Sequence, residues 1–120
     1  MEQLGIEPIE LARFIVDTAA DKKAEDIILL DIIGLSAFFD YFVICSASSD
    51  RQIKAIVDGV VQAAKDEYGK LARSVEGDPE SGWVLIDFTD VVVHVFSHDS
   101  RTYYSLENLW QDASVLLKIQ

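Results

Sequence analysis

Two apolar segments, residues 83–88 and 91–96, are separated only by Thr89 and Asp90. Both are rich in β-branched and aromatic residues, which favours strands, and a two-residue connection is typical of a tight β-hairpin. Such a turn fixes the register of the whole pair. The expected pairs are Phe88 with Val91, Asp87 with Val92, Leu85 with His94, and Trp83 with Phe96. Because side chains alternate across a sheet, this hairpin assigns each of its residues to one of two faces.

The two faces of the predicted hairpin differ in chemistry. The first has only apolar side chains and is expected to belong to the core: Val84, Ile86, Phe88, Val91, Val93 and Val95. The second mixes aromatic rings with a carboxylate and an imidazole: Trp83, Leu85, Asp87, Val92, His94 and Phe96. Asp87 and His94 both require polar partners if they are buried.

Two interpretations of the second face remain open. A C-terminal helix can pack over it, with Asp87 hydrogen-bonded to His94 or to a cap. Alternatively, the face is a partly exposed aromatic and acidic patch, of the kind that anchors protein interfaces. Both hold if the helix covers only part of the face. The predicted partner-binding residues are Trp83, Leu85, Asp87, Asp90, His94 and Phe96.

Helices and strands alternate along the rest of the chain. Pro8 suits the first position of a helix that runs to about Asp21. Residues 26–31 read as a strand buried on both faces at the centre of a sheet, and residues 41–45 as a second strand. Ser49 and Gln52 form a capping box for a helix that ends before Gly69. Residues 73–76 indicate a short edge strand.

Apolar residues recur at helical spacing near the C-terminus and predict a last amphipathic helix over residues 99–117. They are Tyr103, Leu106, Leu109, Trp110, Ala113 and Leu117. The resulting element order is α-β-β-α-(β)-β-β-α. We therefore expect an α/β fold, a mixed β-sheet flanked by helices, as a single domain over residues 1–120.

Charge and cysteine content limit the possible partners. The net charge is −11, and residues 74–120 hold eight acids but only two bases, Arg101 and Lys118. Direct binding of nucleic acid is not expected, because it requires clustered basic residues. A basic protein partner would be attracted, although an acidic surface can also serve solubility alone. Cys45 is the only cysteine, which excludes an internal disulfide and favours a buried apolar role.

Targeting signals and catalytic motifs are not recognisable in the sequence. Residues 1–10 contain three glutamates and no basic residue, unlike a signal or transit peptide, and no apolar run could span a bilayer. We expect a cytoplasmic protein without membrane contact. His94 and His98 do not form a metal-binding pattern, and there is no phosphate-binding glycine loop. No metal and no cofactor are therefore expected.

Several segments resemble the ribosomal silencing factor (Iojap) family. They are residues 21–24 (DKKA), 26–31 (DIILLD), 40–44 (DYFVI), 75–77 (VEG), 82–87 (GWVLID), 90–96 (DVVVHVF) and 101–110 (RTYYSLENLW). The resemblance extends over nearly the whole chain, and the hairpin motif is its most specific part. One departure lies in the turn, where the family usually has glycine and this chain has Thr89. Threonine there either changes the turn type or adds strain.

The resemblance implies a nucleotidyltransferase-like fold that has lost its catalytic motif, often found as a homodimer. It also implies binding to large-subunit ribosomal protein number fourteen through a surface that includes Trp83. The factor would then block subunit joining sterically and repress translation under nutrient limitation, without being an enzyme. The alternative is a residual nucleotidyltransferase that uses Ser46, Ser49, Asp87 and Asp90 on a nucleotide and Mg²⁺.

Overall fold

A six-stranded mixed sheet organises residues 5–120, the part of the chain that the computed structural model describes. The strands are β1 (Glu25–Asp31), β2 (Tyr41–Ala47), β3 (Ser74–Asp78), β4 (Trp83–Asp87), β5 (Val91–Ser97) and β6 (Ser114–Ile119). Their order across the sheet is β3-β4-β5-β2-β1-β6. Strands β2 and β5 are parallel, and all other neighbours are antiparallel. The mixed sheet of an α/β fold is therefore confirmed.

The first two helices begin and end close to the residues predicted. Helix α1 spans Pro8–Asp21 and α2 spans Asp50–Tyr68. The Ser49 hydroxyl accepts a hydrogen bond from the Gln52 N–H at 3.1 Å, and Gly69 closes α2 with a φ of 64°. The Gln52 side chain, however, accepts from the backbone N–H of Ser48 at 2.6 Å, so the reciprocal half of the capping box is shifted by one residue.

Three short helices complete the structure: a 3₁₀ turn at Pro79–Ser81, α3 (His98–Tyr104) and α4 (Leu106–Leu109). None of the helices within residues 5–120 is long and apolar enough to cross a membrane.

Helices α1 and α2 cover one face of the sheet and form the larger hydrophobic core with it. The six hairpin residues predicted for the core, from Val84 to Val95 on the apolar face, are all buried there. Cys45 is fully buried in the same cluster, and this burial raises the pKa of its thiol to about 12. The thiol therefore stays protonated at neutral pH and acts as a small apolar side chain.

The prediction of one C-terminal helix over residues 99–117 is wrong. Helix α3 ends at Tyr104, Ser105 takes a left-handed φ of 48°, and α4 ends after a single turn. The chain then enters β6, which pairs antiparallel with β1. Strand β1 is buried on both faces, as predicted, but lies next to the edge of the sheet and not at its centre. Without β6, the backbone groups on one edge of β1 would have no hydrogen-bond partner. A buried apolar strand needs a partner on each edge, which is the physical reason for β6.

Arg101 in α3 ties this C-terminal segment to the sheet. Its Nη1 donates to the carbonyl oxygen of Asp26 at 2.6 Å and to the Ser46 hydroxyl at 2.9 Å. Its Nε and Nη2 donate to the Glu107 carboxylate at 3.2 and 2.9 Å. Asp26 lies at a β-bulge of β1 with a φ of 49°. Arg101 therefore links β1, β2 and α4 through one largely buried side chain.

The β4–β5 hairpin has the predicted register. Trp83 pairs with Phe96, Leu85 with His94, and Asp87 with Val92. In the turn, the Phe88 N–H donates to the Val91 carbonyl at 2.9 Å. Thr89 has a φ of 83°, a conformation that glycine adopts without strain and a β-branched residue does not. Of the two outcomes open for Thr89, the structure therefore shows the strained turn.

Replacing Thr89 with glycine should stabilise the protein by about 1 kcal/mol, because glycine removes the strain of the positive φ. Urea unfolding followed by circular dichroism measures the change. Thr89→Ala is the matched control, since it removes the exposed side chain but keeps the strained conformation. Equal stability of the glycine and alanine variants would contradict the explanation.

Arg101→Lys should lower the free energy of unfolding by about 2 kcal/mol, because an ammonium group cannot reproduce the forked hydrogen bonds to three segments. Arg51→Lys, on the exposed side of α2, serves as the control and should change stability little. An unchanged urea midpoint in Arg101→Lys would show that the tether is not needed.

Candidate partner-binding site

The second face of the sheet is covered over only part of its width. Leu106, Trp110 and Ala113 pack over the β1, β2 and β5 side and form the smaller hydrophobic cluster there. Trp83 and Leu85 on β4 remain half-exposed at the border of this cover. The two interpretations of this face thus describe adjacent parts of it, although the cover is the short helix α4 with the residues that follow it and not one long helix.

The six predicted partner-binding residues differ in how deeply they are buried. Phe96 is fully buried and His94 is 3% exposed, so neither can form a contact surface in this conformation. Asp87 is 9% exposed, whereas Trp83, Leu85 and Asp90 are half-buried. The role of these six residues in binding remains a prediction, and the structure makes Trp83, Leu85 and Asp90 the accessible part of the set.

Trp83 and Leu85 line a surface groove of about 310 Å³ together with Glu76, Gly77, Ser81 and Tyr104. Strand β3 supplies Glu76, because it pairs with Leu85 across the β3–β4 ladder and projects from the same face. The end of α3 supplies Tyr104. Sequence reasoning missed both residues: the edge strand was predicted without its partner, and Tyr104 was absorbed into a longer helix. The sequence shows both residues, but it does not show that the fold brings them into one groove with Trp83 and Leu85.

Trp83 is held in place by His94. The indole N–H donates to Nδ1 of His94 at 3.2 Å, and the Trp83 ring stacks on Phe96 with centroids 5.0 Å apart. Since Nδ1 accepts this bond, the neutral imidazole carries its proton on Nε2. Nε2 is buried without a hydrogen-bond partner among residues 5–120. Burial lowers the pKa of His94 to about 4, so the ring is neutral at physiological pH.

The acids of the hairpin stabilise its turn. Oδ1 of Asp87 accepts a hydrogen bond from the Thr89 N–H at 2.7 Å, and Oδ2 lies 3.7 Å from Nη1 of Arg73. Asp87 was expected to bond either His94 or a cap; it bonds the backbone of the turn, and not His94. In Asp90 it is the backbone carbonyl, and not the side chain, that accepts a hydrogen bond from the Asp40 N–H at 2.8 Å. The Asp90 side chain is half-buried.

The residues of the alternative nucleotidyltransferase site do not converge. Ser46 pairs with Phe96 and Asp87 with Val92, so they lie four residues apart along β5, about 13 Å. The Ser46 hydroxyl is occupied by Arg101, and Ser49 caps α2. No group of three acidic, histidine or cysteine side chains in residues 5–120 is arranged to hold a metal ion.

Comparison with known proteins gives consistent matches. A family model described as "Ribosomal silencing factor during starvation" matches residues 6–120. The chain is 52% identical over 93 residues to the ribosomal silencing factor RsfS of Bacillus subtilis, which covers 78% of each chain. It is 43% identical over 104 residues to that of Halalkalibacterium halodurans, covering 87% and 88%. A crystal structure from Chromobacterium violaceum matches with a TM-score of 0.84 at 35% identity, covering 88% of each chain.

His94 should make stability depend on pH. Its pKa falls from an ordinary 6.5 to about 4 on folding, so below pH 6.5 the unfolded chain binds a proton that the folded protein does not. The contribution of His94 to stability should therefore fall by about 3 kcal/mol between pH 6.5 and 4 and change little below pH 4. His94→Gln removes this term but keeps a hydrogen-bond acceptor for Trp83.

Urea unfolding of parent and His94→Gln at several pH values separates this effect from that of the carboxylates, which both proteins share. The stability difference between them should shrink or reverse as the pH falls from 6.5 to 4. A difference that stays constant across this range would show that His94 titrates normally in the folded protein.

Proposed function

Because the chain belongs to the ribosomal silencing factor (Iojap) family of non-enzymatic regulators of translation, we propose that it binds the large ribosomal subunit and blocks its association with the small subunit. The proposed contact is large-subunit ribosomal protein number fourteen, on the face that meets the small subunit. A bound factor would prevent joining by steric overlap alone. Translation would be repressed under nutrient limitation, in keeping with the starvation function in the description of the family.

The observation that carries the proposal is the half-exposed Trp83 at the edge of an incompletely covered sheet face. A tryptophan held by neighbours yet open to solvent is the usual centre of a protein interface. The net charge of −11 adds long-range attraction to a basic ribosomal protein and repulsion from ribosomal RNA. Both effects favour a protein contact on the ribosome.

Further features of the proposal come from the sequence and from the family membership. We propose one domain over residues 1–120, a cytoplasmic location and a nucleotidyltransferase-like fold without its catalytic motif. The separation of Ser46 from Asp87 and Asp90 supports the loss of that motif. We also propose that no cofactor is required, that two copies can form a homodimer, and that the protein contacts neither nucleic acid nor membrane.

Saturating protein should keep purified large and small subunits apart in sucrose gradients at Mg²⁺ concentrations that otherwise promote joining. Trp83→Ala should weaken binding about thirtyfold, since loss of a central interface aromatic typically costs about 2 kcal/mol or more. Leu71→Ala is the control, because Leu71 is 65% exposed and lies outside the groove.

Two results would contradict this proposal. Joining that proceeds normally at saturating parent protein would overturn the mechanism. A Trp83→Ala variant that keeps its melting temperature and circular dichroism, yet binds like the parent, would overturn the proposed surface. Melting each variant in parallel is necessary, since Trp83 also packs against Phe96.

A further inference from the structure

Two adjoining aromatic rings form part of the groove wall. The centroids of Trp83 and Tyr104 lie 4.7 Å apart with an angle of 47° between the planes, so the rings form a wedge and are not stacked flat. Leu85 lines the groove beside them. At about 310 Å³ the groove can receive a long side chain of a partner, but not a folded element such as a helix. Aromatic faces of this kind attract cations as well as apolar groups.

The acidic side chain of the groove is Glu76. It is exposed, and among residues 5–120 its carboxylate accepts a hydrogen bond from the neutral Ser74 hydroxyl at 3.1 Å. The neighbouring acid, Asp78, accepts from the Ser81 N–H within the 3₁₀ turn. The residues lining the groove include no lysine, arginine or histidine. Glu76 therefore gives the groove a negative charge that no residue of its lining neutralises.

The chemistry of the lining discriminates between possible occupants. An anionic group, such as an RNA phosphate, would be repelled by Glu76. An apolar side chain would fit the aromatic walls but would remove water from the carboxylate without replacing its hydrogen bonds. A cationic side chain with a long apolar stem satisfies both parts, because its methylene groups pack on the rings while its head reaches the carboxylate. Arginine suits this surface best, since its planar group also stacks on aromatic faces.

We propose that this groove binds an arginine side chain of the basic ribosomal partner, with the guanidinium against Glu76 and its stem packed across the exposed surface of the Trp83 and Tyr104 rings. This inference rests on the proposed function and adds the chemistry of the contact. The bond from Trp83 to His94 fixes the indole before the partner arrives. Less side-chain freedom is then lost on binding.

The test compares two variants with the same change in net charge. Glu76→Gln removes the charge inside the groove, whereas Glu67→Gln removes one from α2, on the opposite side of the sheet. Affinity for isolated large ribosomal subunits is measured at low and at high salt. Glu76→Gln should weaken binding about tenfold at both, because a charge-assisted hydrogen bond is lost. Glu67→Gln should stay within about twofold of the parent, through steering alone.

Tyr104 provides an independent test of the aromatic wall. Tyr104→Leu keeps an apolar side chain but removes the ring and should weaken binding about fivefold, as expected for a lost cation–π contact. Tyr104→Phe keeps the ring and should bind like the parent. Because Tyr104 is 46% exposed, both variants are expected to fold, which their melting temperatures check.

The outcomes separate this inference from the proposed function. If the parent binds large subunits and Glu76→Gln binds equally well or more tightly, the occupant is apolar or a nucleotide base, and the inference is overturned while the function stands. Loss of binding in Tyr104→Phe as well as in Tyr104→Leu would also overturn it. If the parent itself does not bind large subunits, the function and the inference fall together.

Discussion

Arg101 connects the C-terminal segment to the sheet, and the shape of the second layer depends on this connection. Helices α1 and α2 hold their own face through long apolar stripes, but α3 and α4 have seven and four residues. Helices this short are not stable without external contacts. Arg101 provides them, because one guanidinium reaches a bulged carbonyl of β1, the Ser46 hydroxyl of β2 and the Glu107 carboxylate of α4. Strand β6 then follows and closes the edge of β1.

The limited reach of this segment leaves the β3–β4 end of the face open. The hydrophobic side chains on β5 and β2 are covered, whereas Trp83 and Leu85 border the groove that contains Glu76 and Tyr104. The binding surface that we propose is therefore the area that the fold does not cover. This surface is rigid because the buried side chains of Phe96 and His94 contact the indole of Trp83 and fix its position. His94 would thus act on a partner through Trp83 and not by touching it.

The hairpin could be predicted in detail because two strands and a two-residue turn leave little freedom, and its register and core face agree with the structure residue by residue. Helix α2 was equally accessible through its caps. The C-terminal segment could not be predicted in this way. Its apolar spacing does place Leu106, Trp110 and Ala113 against one cluster. Helical periodicity cannot reveal, however, that Ser105 adopts a left-handed φ or that the free edge of β1 takes β6 as its partner. The groove was missed for a related reason. Glu76 reaches it through the pairing of β3 with β4, and Tyr104 through the position of α3, and neither can be read from the sequence.

Trp83 joins stability and recognition in one side chain. Its ring stacks on Phe96, approaches Tyr104 and donates to His94, so the native state itself fixes the indole orientation. A side chain that is already ordered loses little entropy when a partner arrives, and more of its contact energy appears as affinity. The same contacts mean that removing the ring disturbs the protein as well as the interface. Glu76 has no such double role, because its carboxylate is exposed at the edge strand. Its charge therefore tests recognition in a way that the tryptophan alone cannot.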